Sequence, residues 1–204
     1  QEERKPAPPY SQEEALFILL AIYKPFRVLQ LNRIYHSDIK LENIVYSESA
    51  NKFLIIDFGV SNIVPMPDPK ENNSNIDIYQ TDDETDIYSL IRGGTKFYNS
   101  PEKAIYFAGD SKEDVFNPYK CDMWSLGACL LKMCGLHPGQ LGPFFKHHLL
   151  NEVVYGLTHQ EWRTRFDAIR LAEVLEKARM PIPDPAKVES NYLKILKENS
   201  LATN

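Results

Sequence analysis

The sequence predicts a mainly α-helical fold with one small β-hairpin, which is an α+β class, and three observations support this prediction. A capping-box pair, Ser11 and Glu14, precedes a long apolar run. Two short β-prone runs flank a polar turn at residues 48–52. The segment 120–134 is apolar around most of a helical circumference, which is typical of a helix in the middle of a domain.

Composition limits the classes of protein and partner. The 204 residues are 43% apolar and 25% charged, as in a globular domain with a core, and the net charge of −5 argues against a nucleic-acid partner. The longest apolar run, 15–23, is far shorter than the ~20 residues that cross a bilayer. Cys121, Cys129 and Cys134 are too few and too clustered for a disulfide framework. We therefore expect a reducing compartment, cytoplasmic or nuclear, and no membrane span.

The first residues differ from the rest of the chain. Residues 1–10 contain three prolines and four charges, so we expect a linker or frayed terminus there and one domain over 11–204. Gln1 is not preceded by Met and no apolar leader follows, which indicates a piece of a longer, non-secreted product. After Ser11 a helix begins, and Pro25 should interrupt or kink it because proline has no N–H and its ring clashes with the preceding turn.

A hairpin is expected between Asn43 and Asp57. Its strands are the β-prone runs 44–47 and 53–56, separated by the polar turn. Because the strands of a hairpin are antiparallel, Asn43 and Asp57, just outside its two ends, should lie close together.

A sharp change in composition occurs at residues 65–89. Seven acidic residues accompany a single lysine, and three prolines interrupt the segment. Since it has no helical or strand periodicity, the segment predicts a long, mobile, acidic surface loop. Residues 108–117 predict a second, smaller insertion.

The last part of the chain predicts helices. The helix at 120–134 should end at Gly135, because glycine favours the left-handed conformation that terminates helices. Further helical stretches are predicted at 144–155, 165–179 and 190–198.

Four polar side chains form the candidate site. Asp38, Lys40 and Asn43 lie within one predicted loop, and the hairpin returns Asp57 beside Asn43. Phosphoryl transfer from a nucleotide needs carboxylate and amide oxygens for Mg²⁺, a carboxylate near the attacking hydroxyl and a cation on the transferred phosphate. The four side chains supply this chemistry.

Four motifs occur along the chain in a fixed order, and with them the chain resembles the protein kinase catalytic domain. The first two match the catalytic loop and the metal-binding motif of that family, and the others match the end of its activation segment and the central helix of its C-terminal lobe. They are His36-x-Asp38-x-Lys40-x-x-Asn43, Asp57-Phe58-Gly59, Gly94 to Glu102, and Asp122 to Gly127.

The resemblance implies roles for these residues. Asp38 would accept or orient the proton of the substrate hydroxyl, and Lys40 would neutralise the γ-phosphate of ATP. Asn43 and Asp57 would bind Mg²⁺. Val45 would form the floor of the adenine pocket.

It also implies supporting residues around the site. His36 and Phe58 would stack in a hydrophobic spine, with Gly59 completing the metal-binding motif. Thr95 would hydrogen-bond to Asp38. The remaining two are Glu102, which would pair with an arginine, and Asp122, which would hold the backbone of the catalytic loop.

The serine/threonine branch of the family fits best. Lys40 lies two places after Asp38, and Gly94-Thr95 precedes a Tyr-x-Ser-Pro-Glu sequence, as in that branch. The resemblance therefore implies a protein serine/threonine kinase that uses ATP and Mg²⁺ and has proteins as substrates.

The chain departs from the family pattern in three places. Ser37 stands where the family usually has arginine, so we do not expect control by an activation-loop phosphate. No glycine-rich loop or strand lysine precedes Asp38, so we expect the N-terminal, β-rich lobe to be missing and the C-terminal lobe alone to have little activity. The arginine that pairs with Glu102 is expected beyond residue 204, because the nearer candidates by count, Arg163 and Arg165, lie in a context that does not fit the family motif. Trp162 should be a packing anchor with Arg163 and Arg165 as solvated neighbours.

Two alternatives stay open. Small-molecule phosphotransferases also carry the pattern of His36 to Asp57, although they are not expected to carry the later two motifs. A pseudokinase-like nucleotide-binding or scaffold module would also fit, but such a module has no chemical need for Asp38.

Overall fold

The computed structural model describes residues 10–64, 93–109, 117–138 and 145–180. Helices predominate in these parts, with two small antiparallel sheets, as predicted for the fold class. The helices are α1 Gln12–Leu31, α2 Pro101–Ala108, α3 Pro118–Met133, α4 His148–Leu157 and α5 Ala168–Lys177. The strands are β1 Ile34–Tyr35, β2 Ile44–Ser47, β3 Lys52–Ile55 and β4 Asn62–Ile63, and 3₁₀ turns lie at Leu41–Asn43 and Lys96–Tyr98.

Several predicted segments lie outside the described residues. They are the acidic segment 65–89, the helix predicted at 190–198, nearly all of the terminal segment 1–10 and most of the insertion at 108–117. The absence of an N-terminal lobe likewise stays a prediction.

The capping box of α1 is confirmed. The Ser11 hydroxyl accepts a hydrogen bond from the Glu14 N–H at 3.1 Å, and the Glu14 carboxylate accepts one from the Ser11 N–H at 2.8 Å. Of the two effects predicted for Pro25, the interruption is wrong, because α1 continues through it to Leu31, while the kink stays a prediction. Ile22 and Phe26, on either side of Pro25, are buried in the same core, and their packing offsets the lost backbone hydrogen bond.

The hairpin of β2 and β3 is confirmed, with β3 beginning one residue earlier than predicted. Its register pairs Ile44 with Ile55 and Ser47 with Lys52. A second antiparallel pair, β1 with β4, was not predicted, because two-residue strands carry no readable alternation. Most of the candidate site residues lie in the part of the chain between β1 and β4.

The centre of the described core is α3, as predicted. All but two of its 16 residues are buried, and it packs against α1, α4 and α5. Fully burying a side chain such as Leu126 or Leu130 contributes about 1.5–3 kcal/mol to stability. The helix ends at Met133, and Gly135 adopts a φ of 71°.

The two later described helices are shorter than predicted. α5 begins at Ala168 and not at 165, because the Asp167 side chain caps it by accepting a hydrogen bond from the Arg170 N–H at 2.7 Å. α4 begins at His148, where the His147 side chain caps it. Of the helices in the described ranges, none combines the length and the apolar character needed to cross a membrane.

Candidate active site

The segment after β1 is held by a carboxylate of the central helix. The backbone N–H groups of His36 and Ser37 both donate to Asp122, at 2.6 and 2.8 Å. Asp122 is buried, and burial raises its pKa while these hydrogen bonds act in the opposite direction. Asp122 thus fixes the backbone immediately before Asp38.

Asp38 lies between a cation and a hydroxyl donor. Its Oδ2 atom is 2.6 Å from Lys40 Nζ, and its Oδ1 atom accepts a hydrogen bond from Thr95 Oγ1 at 2.8 Å. Burial raises the pKa of Asp38, but Lys40 and Thr95 outweigh burial and the net pKa lies below its ordinary value. The pKa of Lys40 is raised, first by its hydrogen bond to Asp38. Both side chains are therefore charged at neutral pH.

Asn43 links the catalytic loop to the hairpin. Its Nδ2 atom donates to the Asp38 carbonyl at 2.9 Å, and its own carbonyl accepts a hydrogen bond from the Ile56 N–H at 3.0 Å. The second hydrogen bond brings Asp57, the next residue, to the Asn43 end of the hairpin, as the sequence predicted. Val45, two residues further along β2, is paired with Leu54 and half-buried.

Asp57 is exposed and adopts a left-handed backbone with a φ of 64°. Its Oδ1 atom is 3.4 Å from the Gly59 N–H. Positive φ in a residue other than glycine is uncommon and is concentrated at functional positions. The conformation turns the chain directly after the hairpin, beside Asn43.

The donor set of Asn43 and Asp57 fits Mg²⁺. An amide and a carboxylate offer the hard oxygen ligands that Mg²⁺ prefers, and Mg²⁺ commonly binds one or two protein carboxylates together with substrate phosphates. In the described ranges no three His, Cys, Asp or Glu side chains cluster as a metal site.

His36 joins the catalytic loop to the segment after the hairpin. Its ring lies 4.7 Å from the Phe58 ring, centroid to centroid. Its Nε2 atom is 2.9 Å from the Ile56 carbonyl, which can only accept, so we assign the proton to Nε2. Nδ1 is then free to accept the Asp38 N–H at 3.3 Å. Phe58 is otherwise largely exposed.

Glu102 pairs with Arg165, which corrects two expectations from the sequence. Two guanidinium nitrogens of Arg165 lie 2.6 and 3.0 Å from the two carboxylate oxygens. The partner of Glu102 is therefore within the chain and not beyond residue 204. The Arg165 side chain is 0% exposed, so the expectation that it is solvated is also wrong. Residue count alone made Arg165 a candidate partner, but the sequence around it does not fit the family motif, so the prediction placed the partner elsewhere.

Arg163 and Trp162 behave as predicted. Trp162 is buried, and the exposed Arg163 guanidinium lies 4.5 Å from its ring centroid.

Cys121 and Cys129 are buried, and burial raises the pKa of both thiols. Burial also raises the pKa of Cys134 to about 11. All three thiols are therefore protonated at neutral pH, as expected for structural cysteines.

Two lysines that sequence reasoning missed also lie at this site. Lys103 Nζ donates to the carbonyl and the hydroxyl of Ser37 at 2.5 and 3.0 Å. Lys132 Nζ donates to the Tyr98 hydroxyl at 2.8 Å and lies 3.7 Å from the Glu42 carboxylate. The sequence feature that could have identified each of them is a lysine inside an otherwise apolar helical pattern.

Comparison with known proteins gives a consistent result. The family model described as Protein kinase domain matches residues 3–197 of the chain. A probable serine/threonine-protein kinase of Dictyostelium discoideum is 31% identical over 100 residues, which are 49% of this chain and 10% of that protein. The serine/threonine-protein kinase Nek5 of Mus musculus is 27% identical over 150 residues, covering 72% of this chain and 19% of Nek5. Calcium-dependent protein kinase 3 of Plasmodium yoelii yoelii is 28% identical over 162 residues, covering 75% and 24%. The chain thus spans less than a quarter of the length of these relatives.

Proposed function

This chain belongs to the protein kinase domain family, and on that premise we propose that it acts in transfer of the γ-phosphate of ATP to serine and threonine hydroxyls of proteins. The observation that carries the proposal is the Asp38 carboxylate, held between Lys40 and Thr95 at 2.6 and 2.8 Å and next to Asn43. A pre-positioned carboxylate and cation are what this reaction requires, because its catalysis depends mainly on positioning and electrostatics.

Asp38 is suited to receive the substrate hydroxyl. Its lowered pKa keeps it ionised at neutral pH, so it can accept a hydrogen bond from the hydroxyl and orient the oxygen for attack on the γ-phosphorus. The new bond joins that oxygen to phosphorus, the bond from phosphorus to the bridging oxygen of ADP breaks, and the hydroxyl proton passes to Asp38.

The charges around Asp38 support the same assignment. Lys40 Nζ is 2.6 Å from Asp38 Oδ2. At this position the lysine cation can neutralise charge on the transferred phosphoryl group. Asn43 and Asp57 would hold Mg²⁺, which supplies charge neutralisation and alignment of the phosphates when bound.

The assignment to serine and threonine hydroxyls of proteins has a separate basis. Lys40 lies two residues after Asp38, and Thr95 hydrogen-bonds to Asp38 from the segment that would border the acceptor. Two of the relatives are named serine/threonine-protein kinases.

The direct test is a phosphotransfer assay of the full natural protein with Mg²⁺ and radiolabelled ATP, using a mixture of protein acceptors. Asp38→Asn and Asp57→Ala should each lower turnover by about 100-fold or more, because each removes a positioned group from the transition state. Asp167→Asn is the matched control, since asparagine caps the α5 helix as well as aspartate does.

Three outcomes are informative. The proposal is supported if wild type and Asp167→Asn transfer label to serine and threonine residues and Asp38→Asn does not. Wild-type turnover that survives Asp38→Asn contradicts it. ATP binding without any turnover would favour a nucleotide-binding module.

A further inference from the structure

Lys103 is a buried cation that the mechanism above does not use. It lies on α2, is 2% exposed, and burial lowers its pKa while Cys121, Asp122, Asp38 and Glu102 oppose that effect. Burying an ammonium group costs several kcal/mol unless polar groups compensate it. The compensation comes from Ser37, whose carbonyl and hydroxyl accept its hydrogen bonds at 2.5 and 3.0 Å.

Ser37 is strained at the point where Lys103 binds it. Its φ is 69°, in the left-handed region that residues other than glycine seldom adopt, and such a conformation persists only when its surroundings enforce it. Asp122 accepts the N–H of Ser37 at 2.8 Å, and Lys103 donates to its carbonyl. Asp122 and Lys103 therefore hold the two backbone groups of one residue, and Asp38 is the next residue in the chain.

Lys103 also contacts the second segment that holds Asp38. A Cβ atom on Gly94 would lie 2.7 Å from Lys103 Nζ, and Gly94 has a φ of 147°. Glycine at this position therefore leaves space for the ammonium group. Thr95, the next residue, donates the hydrogen bond to Asp38 Oδ1. Lys103 thus binds the residue before Asp38 and lies beside the residue before Thr95.

We propose that Lys103 is a positioning residue that aligns Asp38 by fixing the Ser37 peptide, with Gly94 leaving the space that its ammonium group occupies. The proposal rests on the proposed phosphotransfer function, in which Asp38 orients the substrate hydroxyl. Lys103 touches no substrate in this scheme and acts only through Ser37.

The kinetic test compares two lysine variants of the full natural protein. Lys103→Met keeps most of the side-chain volume and removes the ammonium, so kcat should fall at least tenfold while the KM for ATP stays within about twofold. Lys120→Met is the matched control, because Lys120 is also buried and donates to the Arg163 carbonyl at 2.8 Å, away from Asp38. That variant should retain the wild-type kcat at temperatures where it is folded.

Amide hydrogen exchange tests the positioning independently of activity. In Lys103→Met the amides of residues 36–38 should exchange at least tenfold faster than in wild type, whereas Lys120→Met should leave them unchanged. Lys103→Gln, which keeps a donor but no charge, replaces Lys103→Met if the latter does not fold.

The outcomes separate the two proposals. Wild-type protein without turnover contradicts the proposed function, and the exchange measurement then still decides the role of Lys103. Unchanged kcat together with unchanged exchange in the Lys103 variants overturns the positioning role. A rise in the KM for ATP with unchanged kcat also overturns it, because it would place Lys103 in nucleotide binding.

Discussion

Thr95 is a neutral side chain that helps Lys40 to lower the pKa of Asp38. Its hydroxyl donates to Asp38 Oδ1 at 2.8 Å, and Lys40 Nζ lies 3.4 Å from the same hydroxyl. A hydrogen bond to a charged group contributes about 1.5–3 kcal/mol, and 1.36 kcal/mol corresponds to a factor of ten in rate. We therefore predict that Thr95→Val lowers kcat about tenfold or more.

The Thr95 prediction has a pH component. Loss of the hydroxyl removes one of the groups that lower the pKa of Asp38, so the acid limb of the kcat profile should move to higher pH in Thr95→Val. Thr95→Ser keeps the hydroxyl and should match wild type in both rate and profile. Equal rates for all three proteins, measured by steady-state phosphotransfer from pH 4 to 8, would contradict the prediction.

At the residue scale, sequence reasoning grouped the polar side chains that lie near each other along the chain. The interactions of Asp38 with Lys40 and Asn43 span two and five residues. The predicted hairpin placed Asp57 beside Asn43. The contact of Lys103 with Ser37 spans 66 residues, and only the packing of α2 against the Asp38 segment reveals it. Arg165 was a candidate partner of Glu102 by count, but it lies 63 residues away in a sequence that does not fit the family motif.

Gly127 determines how closely α3 and α4 approach each other. A Cβ atom at this position would lie 2.6 Å from Thr158 Cγ2 and 3.0 Å from Leu157 Cβ. Alanine gains about 1 kcal/mol of helix propensity over glycine, but overpacking costs about 1–3 kcal/mol. Because the Leu157 Cβ is attached directly to the backbone, we expect the clash to exceed the gain and Gly127→Ala to lower the free energy of unfolding by about 1 kcal/mol.

The Thr158 methyl group offers a rescue. Thr158→Ser removes Cγ2 and keeps the hydroxyl that donates to the Val154 carbonyl at 2.7 Å. Adding it to Gly127→Ala should therefore recover part of the lost stability, and Thr158→Ser alone serves as the control in urea unfolding. A Gly127→Ala protein more stable than wild type would show that propensity exceeds the clash.

At the element scale, the sequence identified the elements with strong local signals. The capping box of α1, the hairpin of β2 and β3 and the apolar circumference of α3 all lie within one element or one turn. The pairing of β1 with β4 does not, because its strands are 27 residues apart and two residues long. Pro25 does not interrupt α1, because the core contacts of its neighbours outweigh the cost of a proline inside a helix.

The ion pair of Glu102 and Arg165 joins distant parts of the molecule. Glu102 lies in the first turn of α2, and Arg165 lies just before α5, where it also donates to the Lys120 carbonyl on α3 at 3.0 Å. The guanidinium stacks 5.0 Å from the Trp124 ring centroid. Its fully buried side chain therefore connects three elements, and breaking the pair should destabilise the whole core.

We predict that Glu102→Gln destabilises the protein in a pH-dependent manner. Burial raises the pKa of Glu102, but Arg165 outweighs burial and the net pKa lies below the ordinary value of 4.5. Its stabilising contribution is therefore fully present above pH 4.5 and is lost as the pH falls through the lower folded-state pKa. At pH 7 the substitution leaves a buried guanidinium without its carboxylate, which costs about 3–5 kcal/mol.

Urea unfolding of Glu102→Gln and wild type should be compared at pH 7 and at pH 3. The comparison separates the stabilisation by the Glu102 charge from general acid destabilisation, which affects both proteins. The difference between the two proteins should be largest at pH 7 and should shrink at pH 3, because below pH 4.5 Glu102 binds a proton more readily in unfolded than in folded wild-type protein. Glu176→Gln is the matched control, because its 3.4 Å pair with Arg27 is half exposed and contributes at most about 1 kcal/mol. A difference that stays constant between the two pH values would show that the charge of Glu102 does not stabilise the fold.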